Sequence, residues 1–274
     1  MYISKYLKFA VPALMFFIVL DIFFRSFALS FNSLFVLFLI STLSAFWITR
    51  YKFLPVLLSL ISSSSIVLFF ITFGEKNLQY IYMAFSSMLF MFSLIGMDKF
   101  FARKSDPGES KEMKISILDS GFNLNQSIIM FSIFLFSSGI YGIYTDLGFP
   151  TWIVLAVIFL ETLASTFYLT KINFIKSKEL ELHLDSAKNK TFGFYSFLFA
   201  LLISELVWAL SFWPSNQLTV GAIVLISYYT AWNVLRSYLR NELTRSTIMY
   251  NLSFFIVSGI IMIITSKWDI LATI

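Results

Sequence analysis

Three acidic residues stand where carboxylates are costly. The stretch TWIVLAVIFLETLASTFYLTK, Thr151 to Lys171, is almost wholly apolar except for Glu161 near its middle. Glu205 interrupts a second apolar run, FGFYSFLFALLISELVWAL. Asp21 sits near the end of a third and precedes Arg25 by four residues, the spacing of two side chains on one helical face. In an apolar medium a charged carboxylate costs several kcal/mol, so each of these either pairs, holds its proton, or lines a wet cavity. Two acids that face each other can share one proton, hold a cation, or bind the polar head of a lipid or amphiphile. Asp21 and Arg25 read most simply as a local ion pair. A protonated Glu can also serve as packing glue, bonded to Ser, Thr or Tyr of another helix. Such bonds average only about 0.6 kcal/mol in membranes, little against the burial of the group. Glu161, Glu205, Asp21 and Arg25 are therefore the candidate intramembrane polar site.

The medium follows from composition. The 274 residues are 58% hydrophobic and 13% charged, where a soluble domain carries about 25% charged residues. The surplus apolar surface, with 34 Phe, calls for lipid as solvent. There is no Cys, which excludes disulfides, thiolate metal sites and Cys nucleophiles. The single His183 offers no histidine metal site, and nothing reads as cofactor-binding. Phosphate loops, HExxH, GxSxG and spaced Asp pairs are all missing, so no catalytic residue is assigned and the chain leans away from an enzyme.

Windows of about 20 apolar residues, enough to cross hydrocarbon, occur nine times: 9–26, 28–49, 53–73, 78–97, 122–143, 151–170, 192–213, 217–235 and 247–266. Backbone groups in lipid must pair within their own segment, so the windows predict helices. The fold class is all-α: a polytopic transmembrane helix bundle of about nine spans, read as one membrane domain over 1–274. The first window reads as a span, not a cleavable leader, because it is long and ends in Asp21 and Arg25.

With nine spans, seventeen of the 20 Lys and Arg fall on one side and three, Arg25, Lys76 and Lys267, on the other. The positive-inside rule then places the N-terminus in the cytoplasm and the C-terminus outside. It also explains the net charge of +5 without nucleic acid. Membrane lipids, with anionic headgroups at the basic face, and other membrane proteins are the expected partners.

Two segments between windows are long, 98–121 and 171–191, and both fall on the basic side. Each has an alternating run: Met113, Ile115, Ile117 in the first and Leu180, Leu182, Leu184 in the second. Alternation is a strand pattern, and a strand edge needs a partner, so the two predict a small cytoplasmic β-ribbon. Each run ends in Leu-Asp-Ser and leads to a span and an aromatic-Pro turn, GFPTW or FWPSN. The echo suggests a parallel repeat of 111–170 in 176–240, of a kind that transporters contain.

The segments SELVWALSFWPSNQLTVGAIVLISYY, LRSYLRNELTRS and TSKW, spread over residues 205–268, resemble an uncharacterised family of small polytopic membrane proteins of candidate-phylum bacteria. The resemblance implies a bacterial inner-membrane protein and carries over no functional residue.

Three function classes remain open. A carrier or channel for a proton, cation or small amphiphile would use the intramembrane carboxylates. A non-catalytic scaffold or accessory subunit of a membrane complex would use the helices alone. An enzyme on a lipid-linked substrate would use the cytoplasmic acids Asp98, Asp106, Glu109 and Glu112. The threading is directly testable: reporter fusions at Met1 and at Ile274 should report opposite sides of the membrane, and same-side signals would remove one span from the count.

Overall fold

The computed structural model describes residues 3–25, 30–49, 52–73, 79–102, 111–179, 191–213 and 215–265. Among them there is no strand, and nine long helices coincide with the nine apolar windows. They are α1 Ile3–Arg25, α2 Ser30–Ile48, α3 Leu54–Phe73, α4 Gln79–Met97, α5 Lys111–Leu147, α6 Thr151–Glu179, α7 Phe192–Leu210, α8 Gln217–Leu239 and α9 Arg245–Thr265. Seven, α3 to α9, are long and apolar enough to cross a membrane. The chain groups into two compact units, Met1–Ile129 and Met130–Ile274, so the division falls inside α5.

In the first unit α1 packs on α2 and α4, α2 on α3, and α3 on α4, which closes a ring of four helices. Phe16 stacks on Phe90 with ring centroids 4.5 Å apart, among buried Leu20, Leu37, Leu58 and Met83. The serine run of α3 packs at α2: Ser59 Oγ donates to the Ser41 carbonyl at 2.8 Å, and both residues are fully buried. Small side chains let two helices approach this closely.

A π-helical turn, Asp98–Ala102, extends α4. Lys8 pairs with Asp98 at 2.7 Å and Lys52 donates to the Phe101 carbonyl at 2.8 Å. Lysines thus meet the acid and one of the free carbonyls that a helix end leaves. Arg25 and Asp21 lie at the opposite end of α1, where Arg25 also donates to Tyr80 Oη at 3.0 Å.

In the second unit α6 packs most extensively on α7, α7 on α8, and α8 on α9. Local signals set the helix ends. Gly148, at φ +64°, closes α5 in the left-handed conformation that glycine adopts freely. Asn216 caps α8 through a 2.8 Å bond from the Thr219 amide. Thr244 receives the Thr247 amide at the start of α9.

The ends of two helices correct the sequence reading. Met113, Ile115 and Ile117 lie inside α5, so this half of the expected β-ribbon is helical. The other half, Leu180 to Leu184, lies outside the described residues. Five alternating residues are too few to separate strand from helix, and continuing the helix into the span satisfies every backbone group without a partner strand. The expected loops at 98–121 and 171–191 shrink accordingly, with α5 starting at Lys111 and α6 running to Glu179.

Gly221 marks the tightest contact between α8 and the second half of α5. A Cβ there would overlap Ser138 Oγ and come 3.0 Å from the Phe134 carbonyl oxygen. Gly221→Ala should therefore destabilise the protein by about 1–3 kcal/mol, the range for overpacking a filled interior. A drop in Tm in detergent checks this, and an unchanged Tm would show that the two helices can move apart freely.

Candidate functional site

Asp21 and Arg25 come together as expected: Arg25 Nε lies 2.8 Å from Asp21 Oδ2. The pair joins α1 to Tyr80 of α4, and both side chains retain exposure. Its geometry is that of a local ion pair at a helix end, worth little by itself where exposed.

The two glutamates part company. Glu161 is 9% exposed, on the face of α6 that it shares with buried Ser165 and Tyr168. Glu205 is exposed. The buried stripe of α7 is Ser196, Phe199, Ala200, Ile203, Val207 and Leu210. Glu205 stands two residues from both Ile203 and Val207, which at 100° per residue points it away from that stripe. Glu161 thus lies on the buried side of its helix and Glu205 on the exposed side of its own. Depth along a span can be read from the chain, but facing cannot when apolar residues surround the whole helix.

Glu161 is not isolated. Tyr228 of α8, fully buried, lies within its electrostatic reach and shares a 3.0 Å hydrogen bond with Thr166 Oγ1. Phe199 of α7 packs edge-on against the Tyr228 ring, with centroids 4.9 Å apart. Around this cluster several buried polar atoms have no hydrogen-bond partner: Ser165 Oγ one turn from Glu161, Tyr168 Oη, Ser196 Oγ, and Trp232 Nε1 one turn beyond Tyr228. An unmade bond at a buried polar atom costs about 1–3 kcal/mol. Three of the four are hydroxyls, which can donate or accept, and Trp232 Nε1 can only donate.

The polar face of α6 continues past the cluster. Thr162, Thr166, Thr170, Asn173 and Ser177 follow at helical spacing, and all are buried. Thr162 and Thr170 return their hydroxyls to the carbonyls four residues back, at 2.7 and 2.9 Å. Asn173 Oδ1 accepts from Arg240 Nε at 3.2 Å and from a terminal Arg240 nitrogen at 2.9 Å. Lys176, which the sequence places in a solvated loop, is helical and 6% exposed. Tyr195 and Tyr238 meet at the same end, with their hydroxyls 3.3 Å apart.

Sequence reasoning found Glu161 but missed Thr166, Tyr228, Asn173 and Arg240. The signal was present in ETLASTFYLTKINFIKS, where hydroxyl and amide residues recur every three to four positions from Glu161 to Ser177. Nothing in the chain marks which residues of α8 face them. Asp98, one of the acids that could have served an enzyme, is tied to Lys8. Asp106 and Glu109 lie outside the described residues. Among the described residues, no group of three or more His, Asp or Glu is placed to hold a metal ion.

Residues 147–266 match the family model described as a protein of unknown function, DUF5656. The match takes in α6 to α9 and covers less than half of the chain. It begins upstream of the stretch that carried the resemblance, so Glu161, Asn173, Tyr228 and Arg240 all fall within it, while Asp21 and Arg25 do not. No curated protein and no solved structure matches the chain.

The Arg240–Asn173 contact joins α8 to α6 at the basic end of the polar face. Asn173→Leu removes both acceptor contacts of a charged donor and should cost on the order of 1–2 kcal/mol, allowing for the partial exposure of Arg240. Adding Arg240→Leu should recover part of that loss, because no charge is then left beside an apolar residue. Thermal unfolding of the two single variants and the double variant measures the coupling, and strict additivity would show that the contact contributes nothing.

Proposed function

We propose that this chain is a multi-pass membrane protein, N-terminus in the cytoplasm and C-terminus outside, whose C-terminal half moves protons through Glu161. The observation that carries the reading is a buried carboxyl at mid-span, one turn from the unpartnered Ser165 hydroxyl, at the head of a polar face that runs down α6 to Asn173 and Arg240. Lipid-facing helices need no such face, and ionisable groups within spans mark ion and proton pathways more often than packing.

The threading draws support from within each unit. Lys8, Lys52 and Asp98 meet at one end of the first unit, and Asp21, Arg25 and Tyr80 at the other. In the second unit Asn173 and Arg240 share one end, while Gln217, Thr145 and Asp146 share the other. Every one of these contacts joins residues that the charge pattern puts on the same side.

A proton fits the polar face better than the alternatives. Arg240 and buried Lys176 stand at its basic end, and fixed positive charge at a mouth raises the barrier to a free cation. Hydroxyl groups both donate and accept, so they can pass a proton where they cannot hold a metal ion tightly. Steps of one helical turn, about 6 Å between side chains, are the length that one bridging water spans.

A second reading, a scaffold in a membrane complex, is favoured by α9, of whose span only 6% is buried. A helix so little covered is open to a neighbouring protein.

Liposomes carrying the purified protein should collapse an imposed pH gradient faster than empty liposomes. Glu161→Gln should abolish that difference while leaving the helical circular dichroism unchanged, because the amide keeps the shape and much of the bonding of a protonated acid. Glu205→Gln should leave the rate as it is. Equal rates for wild type and Glu161→Gln, or no rate above empty liposomes, would remove the proton-carrier reading and leave the scaffold.

A further inference from the structure

The uncovered face of α7 has a pattern of its own. Phe194, Leu198, Leu201, Glu205, Trp208 and, just past the helix end, Phe212 are all exposed. The steps between them are 4, 3, 4, 3 and 4 residues. These steps trace one seam along an α-helix, and Phe197 and Leu202 beside it are exposed as well. Lipid does not discriminate among the apolar side chains of such a face. Lipid also tolerates Glu205 badly: eight residues from Trp213, it lies about 12 Å along the helix from the aromatic end. Hydrocarbon tails offer that carboxyl no hydrogen bond.

We infer that α7 pairs along this seam with α7 of a second copy of the chain, with Glu205 meeting Glu205. The identity of the partner follows from symmetry. Two copies of one chain enter the membrane the same way up, so a two-fold axis between them runs along the membrane normal. The paired helices are then parallel, and each seam residue faces its own counterpart. Glu205 is the only charged residue in α7, and no Lys or Arg lies on it. A carboxyl that holds a proton is both donor and acceptor, so two opposed carboxyls satisfy each other by sharing protons. A different partner helix would have to bring its own mid-membrane polar group at the right level, whereas a second copy brings it by construction. Trp208 and Phe212 pack edge-on at 5.5 Å and give the seam a broad aromatic end. Nothing here depends on what Glu161 does.

The chain contains no Cys, so single cysteines report contacts without background. Leu201→Cys and Trp208→Cys, oxidised in native membranes, should form disulfide dimers. Ile260→Cys, comparably exposed on α9 at 52%, should not. Adding Glu205→Leu to either seam cysteine should abolish the dimer, and adding Glu205→Gln should retain it, because the amide also donates and accepts. Helical circular dichroism of each purified variant confirms folding, which an apolar residue at an exposed membrane position should not disturb. Monomer at both seam positions, equal cross-linking at Ile260, or dimers indifferent to Glu205→Leu would overturn the pairing.

Discussion

Hydrocarbon gives a polypeptide backbone nothing to bond to, and that constraint shapes this chain from end to end. Every amide and carbonyl inside the membrane must be satisfied by its own helix. Polar side chains obey the same rule. Ser41, Thr49, Ser63, Ser65, Ser87, Thr162, Thr170 and Ser227 all return their hydroxyls to the carbonyl four residues back. A hydroxyl satisfied in this way can be buried between helices without a partner on the neighbour. The chain can therefore bring helices close through serine, as α2 and α3 do at Ser41 and Ser59. It can also bury Thr162, Thr170 and Ser227 in its second unit on the same terms. A carboxyl has no such local remedy, because it is too long and too strongly hydrated to be satisfied by its own helix. Each intramembrane acid consequently needs a partner supplied by something else.

The same constraint explains what could be read from sequence. Helix existence follows from apolar length: each of the nine windows holds a helix among the described residues, and seven of these helices are long and apolar enough to cross a membrane. Helix ends did not follow. α5 has 37 residues and α6 has 29, lengths of about 55 and 43 Å by helical rise, against roughly 30 Å of hydrocarbon. Their excess lies where Lys and Glu dilute the apolar signal and where Met113, Ile115 and Ile117 imitate a strand. Propagating an existing helix by one more residue adds a bond for each residue fixed, whereas a new strand must first find an edge. The continuation won at α5, and the short alternating run carried too little information to predict otherwise.

Facing was harder to read than length. In a soluble helix the polar side marks the surface, but α7 is apolar almost all the way round, so its stripe of Ser196, Ile203 and Val207 looks no more buried than Leu198 or Leu201. On α6 the hydroxyl residues do mark the inner side, the inverse of the soluble rule, because lipid rejects what a protein interior can satisfy. The Arg240–Asn173 contact was illegible for a further reason. Arg240 follows the last residue of α8 and reads in sequence as one more positive charge of the basic side, a reading that conceals how its guanidinium turns back onto α6.

Glu161 and Glu205 show how completely orientation governs the chemistry of a buried acid. They occupy consecutive helices, at depths from the aromatic end that differ by only about 5 Å by helical rise, and in sequence they look like one pair. On the buried side of α6, Glu161 lies within electrostatic reach of Tyr228, which bonds Thr166, and one turn from the hydroxyl of Ser165. On the other side of α7 from its buried stripe, Glu205 is exposed. The two surroundings differ, although residue type and depth are nearly the same. The difference lies in a rotation about the helix axis that no count of apolar residues records, and it decides which acid a protein interior must satisfy and which one the surface of the helix presents.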